Sequence, residues 1–301
     1  MSDLLLVATD GGRAAANALR FAVAYAEAED VGIEIVSVVE PLSELPMPLP
    51  HRDELEQAHA RGVAERVREH LNEVVGPVDW PVHVRLGRPA PAICQAAVAR
   101  GTRMVVLGLD PRRPETHTAS VELLHLAEMP VYVARDPKLP RTAVVGIDFR
   151  PSSLRAAEEA LHLVGPNGTL HLAHVQPSLD FPAASVWDWR GCYEGAVQTG
   201  FTKLTAQLQE MGAGEVRTHR RVGDAAVELL DLAEELHADL LAVGSDGYIC
   251  NGRVVVGRVA RRLIVEPPIS LLATPVLTTV EGIVTNVSMA PVRREATALA
   301  S

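Results

Sequence analysis

With 301 residues, 48% of them hydrophobic, the chain has material for two cores rather than one. A net charge of −10 and an aromatic content of 4% argue against gripping a phosphate backbone or stacking on single-stranded bases, so no nucleic-acid partner is expected. Cys94, Cys192 and Cys250 lie far apart with no CxxC, no apolar run approaches the ~18 residues of a membrane span, and the N-terminal run is too short for a secretory leader; a cytoplasmic, membrane-free setting is expected.

Taken in chain order, the first apolar run, Leu4–Thr9, reads as a buried strand closed by Asp10. The charged stretch Asp53–Glu73 reads as the solvated face of a helix. Arg85-Leu86-Gly87-Arg88-Pro89-Ala90, the strand Met104–Gly108 and the strand Val131–Ala134 follow, and Arg135–Pro140 is a short linker with two prolines. The landmarks then return in the same order. Thr142–Ile147 is a strand closed by Asp148, 138 residues after Asp10. Ser153–Leu163 has helical periodicity, with Ala156, Ala157, Ala160 and Leu161 on one side. A strand at Thr169–Val175, a helix around Val197–Met211 and a strand at Val216–Val222 come next. The step Gly223-Asp224, 136 residues after Gly87-Arg88, leads to the helix Ala225–Leu236, whose apolar stripe is expected to be Val227, Leu230 and Ala233. A strand at Leu240–Val243, a glycine-containing loop, a helix near Val255–Val265 and a strand at Ile269–Ala273 complete the second set.

Continuous apolar strands alternating with amphipathic helices imply parallel sheets covered on both faces. The expected architecture is therefore α/β: two tandem open parallel five-stranded sheets, residues 1–137 and 138–275, with an extension at 276–301 whose Val280–Val287 could add an edge strand.

In such a sheet, ligands sit beyond the C-terminal strand ends. In the second half those ends carry Asp148 and Gly244, the latter opening Gly244-Ser245-Asp246-Gly247 and leading on to Gly257-Arg258-Val259. Glycines there let backbone N–H groups approach an anion, although glycines after strands more often only make turns, and Asp148 could simply cap a helix. Lys138 and Lys203 are the only lysines and neither lies in a glycine loop, which excludes a P-loop; no G-x-G-x-x-G follows either first strand. His171 and His174, three apart on a strand, fall on opposite faces and do not make a metal site. Ser152 and Ser153 read as helix-start residues, and Trp187 and Trp189 as packing residues in a variable loop.

These residues resemble a tandem universal stress protein, over both halves from about residue 3 to 275. The resemblance rests on strand one ending in aspartate, on Gly223-Asp224, and on Val243-Gly244-Ser245-Asp246-Gly247 with the spacing Gly-x2-Gly-x9-Gly closing at Gly257. It implies an adenine nucleotide alpha-hydrolase-like fold and ATP, alone or with Mg²⁺, in the second half. Gly244, Gly247 and Gly257 would surround the phosphates, Asp148 would lie near the ribose, and Val175 would contact adenine through its backbone. Gly146, Val243 and Val259 would line the same cleft. Arg258 stands where the family has a hydroxyl; it could pair with phosphate, fill its space, or turn outward. The first half departs further, with Pro111 where the second loop glycine would be, a loop two residues shorter, and Ala119 for the closing glycine, so nucleotide binding is not expected there.

The resemblance also implies pairing of the two halves as a pseudo-dimer through Val131–Ala134 and Ile269–Ala273, and it leaves open a homodimer of whole chains. The function it implies is a stress-response protein that senses or signals through adenine nucleotide rather than catalysing. Two alternatives stand beside it: an interaction module that has lost nucleotide binding in both halves, and a nucleotidyl-transfer enzyme, for which neither first-strand turn carries the S-G-G-x-D signature.

Overall fold

The computed structural model describes residues 4–12, 14–41, 51–108, 114–177, 189–245, 248–250, 253–255, 257–265 and 267–275. Gly247, Trp187, Pro111 and the extension with Val280–Val287 lie outside the described residues, and of Trp189 only the backbone is described.

The first half runs β1 (Leu4–Ala8), α1 (Ala15–Glu29), β2 (Gly32–Val39), α2 (Arg52–Val75), β3 (Val82–Leu86), α3 (Pro89–Arg100), β4 (Met104–Gly108), α4 (Pro114–Leu126) and β5 (Val131–Ala134). The second runs β6 (Thr142–Gly146), α5 (Pro151–Val164), β7 (Thr169–Gln176), α6 (Trp189–Glu210), β8 (Glu215–Val222), α7 (Ala225–Glu235) and β9 (Leu240–Gly244). It ends with β10 (Tyr248–Cys250), β11 (Arg253–Val255), α8 (Arg258–Val265) and β12 (Ser270–Thr274).

The strand order β3-β2-β1-β4-β5-β12-β9-β6-β7-β8 makes one ten-stranded sheet from the two five-stranded halves. Each half contributes five parallel strands, and the halves meet where β5 pairs antiparallel with β12 in the register Val131↔Ala273, Tyr132↔Leu272 and Val133↔Leu271. Pairing these two edges leaves neither as an open row of N–H and C=O groups. The cores are continuous across the seam. One layer joins Leu19, Phe21 and Tyr132 to Ala156, Ala160, Phe201 and Leu272, and the other joins Leu123 and Val133 to Leu263, Ile264 and Leu271.

Two readings of the sequence are corrected. The region read as a glycine loop running into a helix from Val255 holds an antiparallel ribbon, Tyr248↔Val255, Ile249↔Val254 and Cys250↔Arg253, and α8 begins only at Arg258. The β-branched run Val254-Val255 suits a strand better than a first helical turn. On α7 the buried residues are Ala226, Leu229, Leu232 and Ala233, while Val227 is exposed. Periodicity gives the spacing of a stripe but not its phase; the phase here follows from the cap, where the Asp224 side chain accepts from the N–H groups of Ala226 and Val227 and turns Leu229 to the sheet.

The recurrent glycine before this helix has a backbone reason. Gly87 (φ 141°) and Gly223 (φ 150°) both occupy positive-φ backbone that side chains rarely adopt, at the turn from β3 into α3 and from β8 into α7. On α2, only Val63, Val67 and Leu71 are buried, in keeping with a charged solvated face. Among the described residues no helix is long and apolar enough to cross a membrane.

His171, which is buried, and His219, which is half-buried, form a pair on the α7 side of β7 and β8, with His171 Nδ1 2.9 Å from His219 Nε2. Both are held below the ordinary histidine value, His171 by burial and then by His219 and Arg217, His219 by burial and then by Arg221 and Arg217. Because the folded values lie below the unfolded one, the unfolded chain takes up these protons first as pH falls through about 6.5. Stability is therefore expected to fall on acidification from pH 7.5 to 5.5. Thermal unfolding of the chain beside a His171→Phe/His219→Leu variant checks this, and an unchanged pH slope in the variant would remove the pair as its source.

Candidate functional site

The chain leaves β6 toward β7 on one side and reaches β9 on the other, so the C-terminal ends of β6 and β9 diverge at a topological switch point. A small cleft of about 100 Å³, open to solvent, lies there. The end of β6 gives Gly146, Ile147 and Asp148, and α5 gives Ser153. β7 gives Ala173 and Val175, α7 gives Ala225 and Leu229, β9 gives Val243 and Gly244, and α8 gives Val259.

The turn carrying Asp148 is fastened by several hydrogen bonds. The Ile147 N–H donates to the Ala173 carbonyl (2.8 Å), continuing the sheet by one bond. The Asp148 N–H donates to Ser153 Oγ (3.3 Å), whose hydroxyl donates to the Arg150 carbonyl (3.0 Å). Asp148 Oδ1 accepts from the Arg150 N–H (3.0 Å), and Oδ2 lies 3.7 Å from Arg150 Nε in an exposed ion pair of small energetic weight. Phe149 takes a left-handed φ of 64°, which sends its ring to the opposite face of the sheet against Phe201 and over Gly200.

Gly146 gives the cleft depth, since a Cβ there would stand 2.9 Å from Leu229 Cδ1. Gly244 has a different reason to lack a side chain. A Cβ there would lie 2.7 Å from the Ser153 nitrogen and 2.8 Å from the Ser152 carbonyl carbon, so it is α5 that approaches β9 closely. Gly108, at the same place in the first half, meets α1 likewise, with the Ala14 carbonyl carbon at 2.5 Å from a built Cβ. Ser152 and Ser153 are both buried at the start of α5, where the close approach occurs.

Of the nine residues the sequence singled out, Gly146, Asp148, Val175, Val243, Gly244 and Val259 come together around this cleft. Gly257 stands just before α8 outside the lining, and Arg258 opens that helix with an exposed side chain. Gly247 lies outside the described residues. Sequence reasoning missed Ile147, Ser153, Ala173, Ala225 and Leu229 as lining residues; the signal for Ser153 was its offset from the aspartate, since Ala15 occupies the matching place in the first half. His171 and His174 do fall on opposite faces, the first against His219 and the second against Tyr193. Among the described residues no group of three or more His, Cys, Asp or Glu is placed to hold a metal ion.

The Asp224 cap carries a further tie, a hydrogen bond from Arg262 Nη1 of α8 (2.9 Å). The first half links the corresponding helices with reversed charge, Arg88 Nη2 to Glu122 Oε1 at 2.7 Å.

Known proteins share this fold. A universal stress protein of Methanocaldococcus jannaschii is 26% identical over 131 residues, 42% of this chain and 76% of that one. The solved structure of a universal stress protein from Archaeoglobus fulgidus matches with a TM-score of 0.64 at 20% identity, covering 91% of this chain and 99% of that chain. A Pseudomonas aeruginosa PAO1 protein of unknown function matches with a TM-score of 0.59 at 15% identity, covering 92% and 93%. The sequence pattern of the universal stress protein family matches residues 1–135 and again 140–275, so the chain belongs to that family, as a tandem member.

Proposed function

We propose that the second half binds an adenine nucleotide, ATP, in the cleft at the ends of β6, β7 and β9, and that the protein senses or signals through it rather than catalysing. The observation that carries this reading is the convergence of six of the residues that the resemblance implied, from four elements, on one cleft at the switch point of the sheet. Ala173, Leu229 and Val243 offer an apolar wall to a flat base, and Asp148 offers a carboxylate that can accept from ribose hydroxyls. Gly244 and the start of α8 face the phosphate end, where Mg²⁺ would accompany the nucleotide. The first half serves as a brace: α4 packs on α8 and touches β11, so an intramolecular dimer holds the ligand-binding half in shape. The widely spaced cysteines support a cytoplasmic setting.

Calorimetry on the full chain with ATP–Mg²⁺ tests the reading. Saturable heat is expected, weakened at least about tenfold by Ala225→Trp, whose indole would occupy the cleft from the first turn of α7. No heat from the unaltered chain would overturn it. One observation favours the second reading, an interaction module without nucleotide: Arg258 is exposed where the family carries a hydroxyl. ATP binding that appears only in Arg258→Ser would establish that reading instead.

A further inference from the structure

The two halves build different polar groups at one place in the sheet. In the first, Glu34 Oε2 of β2 lies 2.8 Å from His83 Nε2 of β3 and accepts from Arg100 Nε at the end of α3. In the second, the strand register puts His171 where Glu34 stands and His219 where His83 stands. Leu236, 136 residues after Arg100, takes the place of the guanidinium and packs against the core layer that holds α7. The imidazole on the edge strand is thus kept, while its carboxylate and guanidinium partners are both replaced.

The replacement changes what a proton does. In the first half a proton on His83 meets a carboxylate at hydrogen-bond distance, so opposite charges face each other. In the second, the 2.9 Å contact from His171 Nδ1 to His219 Nε2 holds only while one nitrogen donates and the other accepts. One added proton buries a cation, since His171 is 3% exposed. A second leaves two donors of like charge facing each other. The charged groups around the pair do not offset this. Arg217 and Arg221 of β8 flank it, Glu215 is engaged by Arg217 and Thr169, and Glu235 of α7 is engaged by Arg221. Glu228 and Asp231 of α7 act on Arg221, and β6 sets the apolar Val144 in register with His171.

The pair adjoins the cleft. Ala173, a lining residue in register with His219, lies two residues beyond His171 on the same face of β7, about 7 Å along the strand. Helix α7 packs on both β7 and β8 and supplies Ala225 and Leu229 as the facing wall. From this placement, and resting on the nucleotide reading above, we propose that the His171–His219 pair is an acid-sensitive joint of the second half. Below neutral pH, β8 and α7 part from β7 in a local opening short of unfolding, and the cleft releases its nucleotide while the first half keeps its shape. In the open state each imidazole reaches water and takes up its proton more readily than in the closed one, so acid draws the equilibrium toward opening.

The test uses the full chain with adenosine, which carries no phosphate to titrate between pH 7.5 and 5.5, and reads hydrogen exchange beside affinity. Exchange, corrected for the intrinsic effect of pH, is expected to rise in β8 and α7 at pH 5.5 and to stay level in β3 and α3. Adenosine affinity is expected to fall by about tenfold over the same range, the linkage of one proton across one pH unit. His171→Glu, which installs the residue of the first half beside His219 and Arg217, is expected to flatten both responses to within about twofold. Should that chain not fold, His171→Gln/His219→Gln, which pairs two amides that do not titrate, is expected to read the same way. Equal acid responses in the two halves, or an undiminished response in a folded variant, would overturn the joint. Exchange that rises in β8 and α7 with no loss of adenosine affinity would overturn its link to the cleft. Failure of the unaltered chain to bind ATP or adenosine at pH 7.5 would instead remove the nucleotide reading, and the release proposed here with it, while the exchange pattern would still show whether the joint opens.

Discussion

Replacing Tyr132 by alanine is expected to lower the stability of the whole chain by about 3–5 kcal/mol, read as a shift of the urea or thermal midpoint. Tyr132 is fully buried at the seam, paired in register with Leu272 across the β5–β12 junction and stacked on Phe21 with ring centroids 3.9 Å apart. Burial also pushes its hydroxyl far above the ordinary tyrosine value, so it stays neutral. Truncation removes a large apolar surface and leaves a cavity that β12, held on its other side by β9, can only partly close. A Phe21→Ala change is expected to cost a similar amount, and the double variant to cost less than the sum by about 0.5–1.5 kcal/mol, the direct worth of a ring pair. Because the core of each layer runs through the seam, the loss is expected to reach the second half and to raise hydrogen exchange in β12 as well as β5. A loss below about 1 kcal/mol would show that the halves stand without the seam.

The repeat made most of this fold legible in advance. The offsets from Asp10 to Asp148 and from Gly87 to Gly223 are properties of the residues themselves, and the second pair reflects a backbone angle that only glycine tolerates well. What the sequence could not carry was phase and partnership. The stripe on α7 could be written as Val227-Leu230-Ala233 or as Ala226-Leu229-Leu232-Ala233, and the choice rests on the capping bonds of Asp224. The joining of the two edges is encoded by no local pattern of either strand, and only the family resemblance implied which edges would meet. At the site, the aspartate and the strand-end residues were readable from their place after apolar runs. The contacts of His174 were not, since its imidazole meets a carbonyl 27 residues away in the chain and the Tyr193 hydroxyl of α6. Gly244 was read for a phosphate, and its immediate physical reason is the closeness of α5.

That last point gives an ordering of three glycine-to-alanine substitutions. Gly108→Ala and Gly244→Ala are each expected to destabilise the chain by about 1–3 kcal/mol or more, because the new methyl group meets helix backbone that cannot turn aside. Gly108 should be the more costly, with its nearest obstacle a carbonyl of Ala14, whereas at Gly244 the closest atom is the Ser152 hydroxyl, backed by α5 backbone. Gly146→Ala should be mild, about 1 kcal/mol or less, since its nearest obstacle is a terminal methyl of Leu229 that can rotate. For ligand binding the order inverts. Gly146→Ala pushes Leu229 and its own methyl into the cleft and is expected to weaken ATP in a chain of near-normal stability. Gly108→Ala, far from the cleft, is expected to leave the affinity of the folded fraction unchanged. Thermal unfolding and calorimetry on the same three variants read both orders at once. If Gly108→Ala proves as stable as the parent chain, close helix approach is not what keeps a glycine at the end of the fourth strand in both halves.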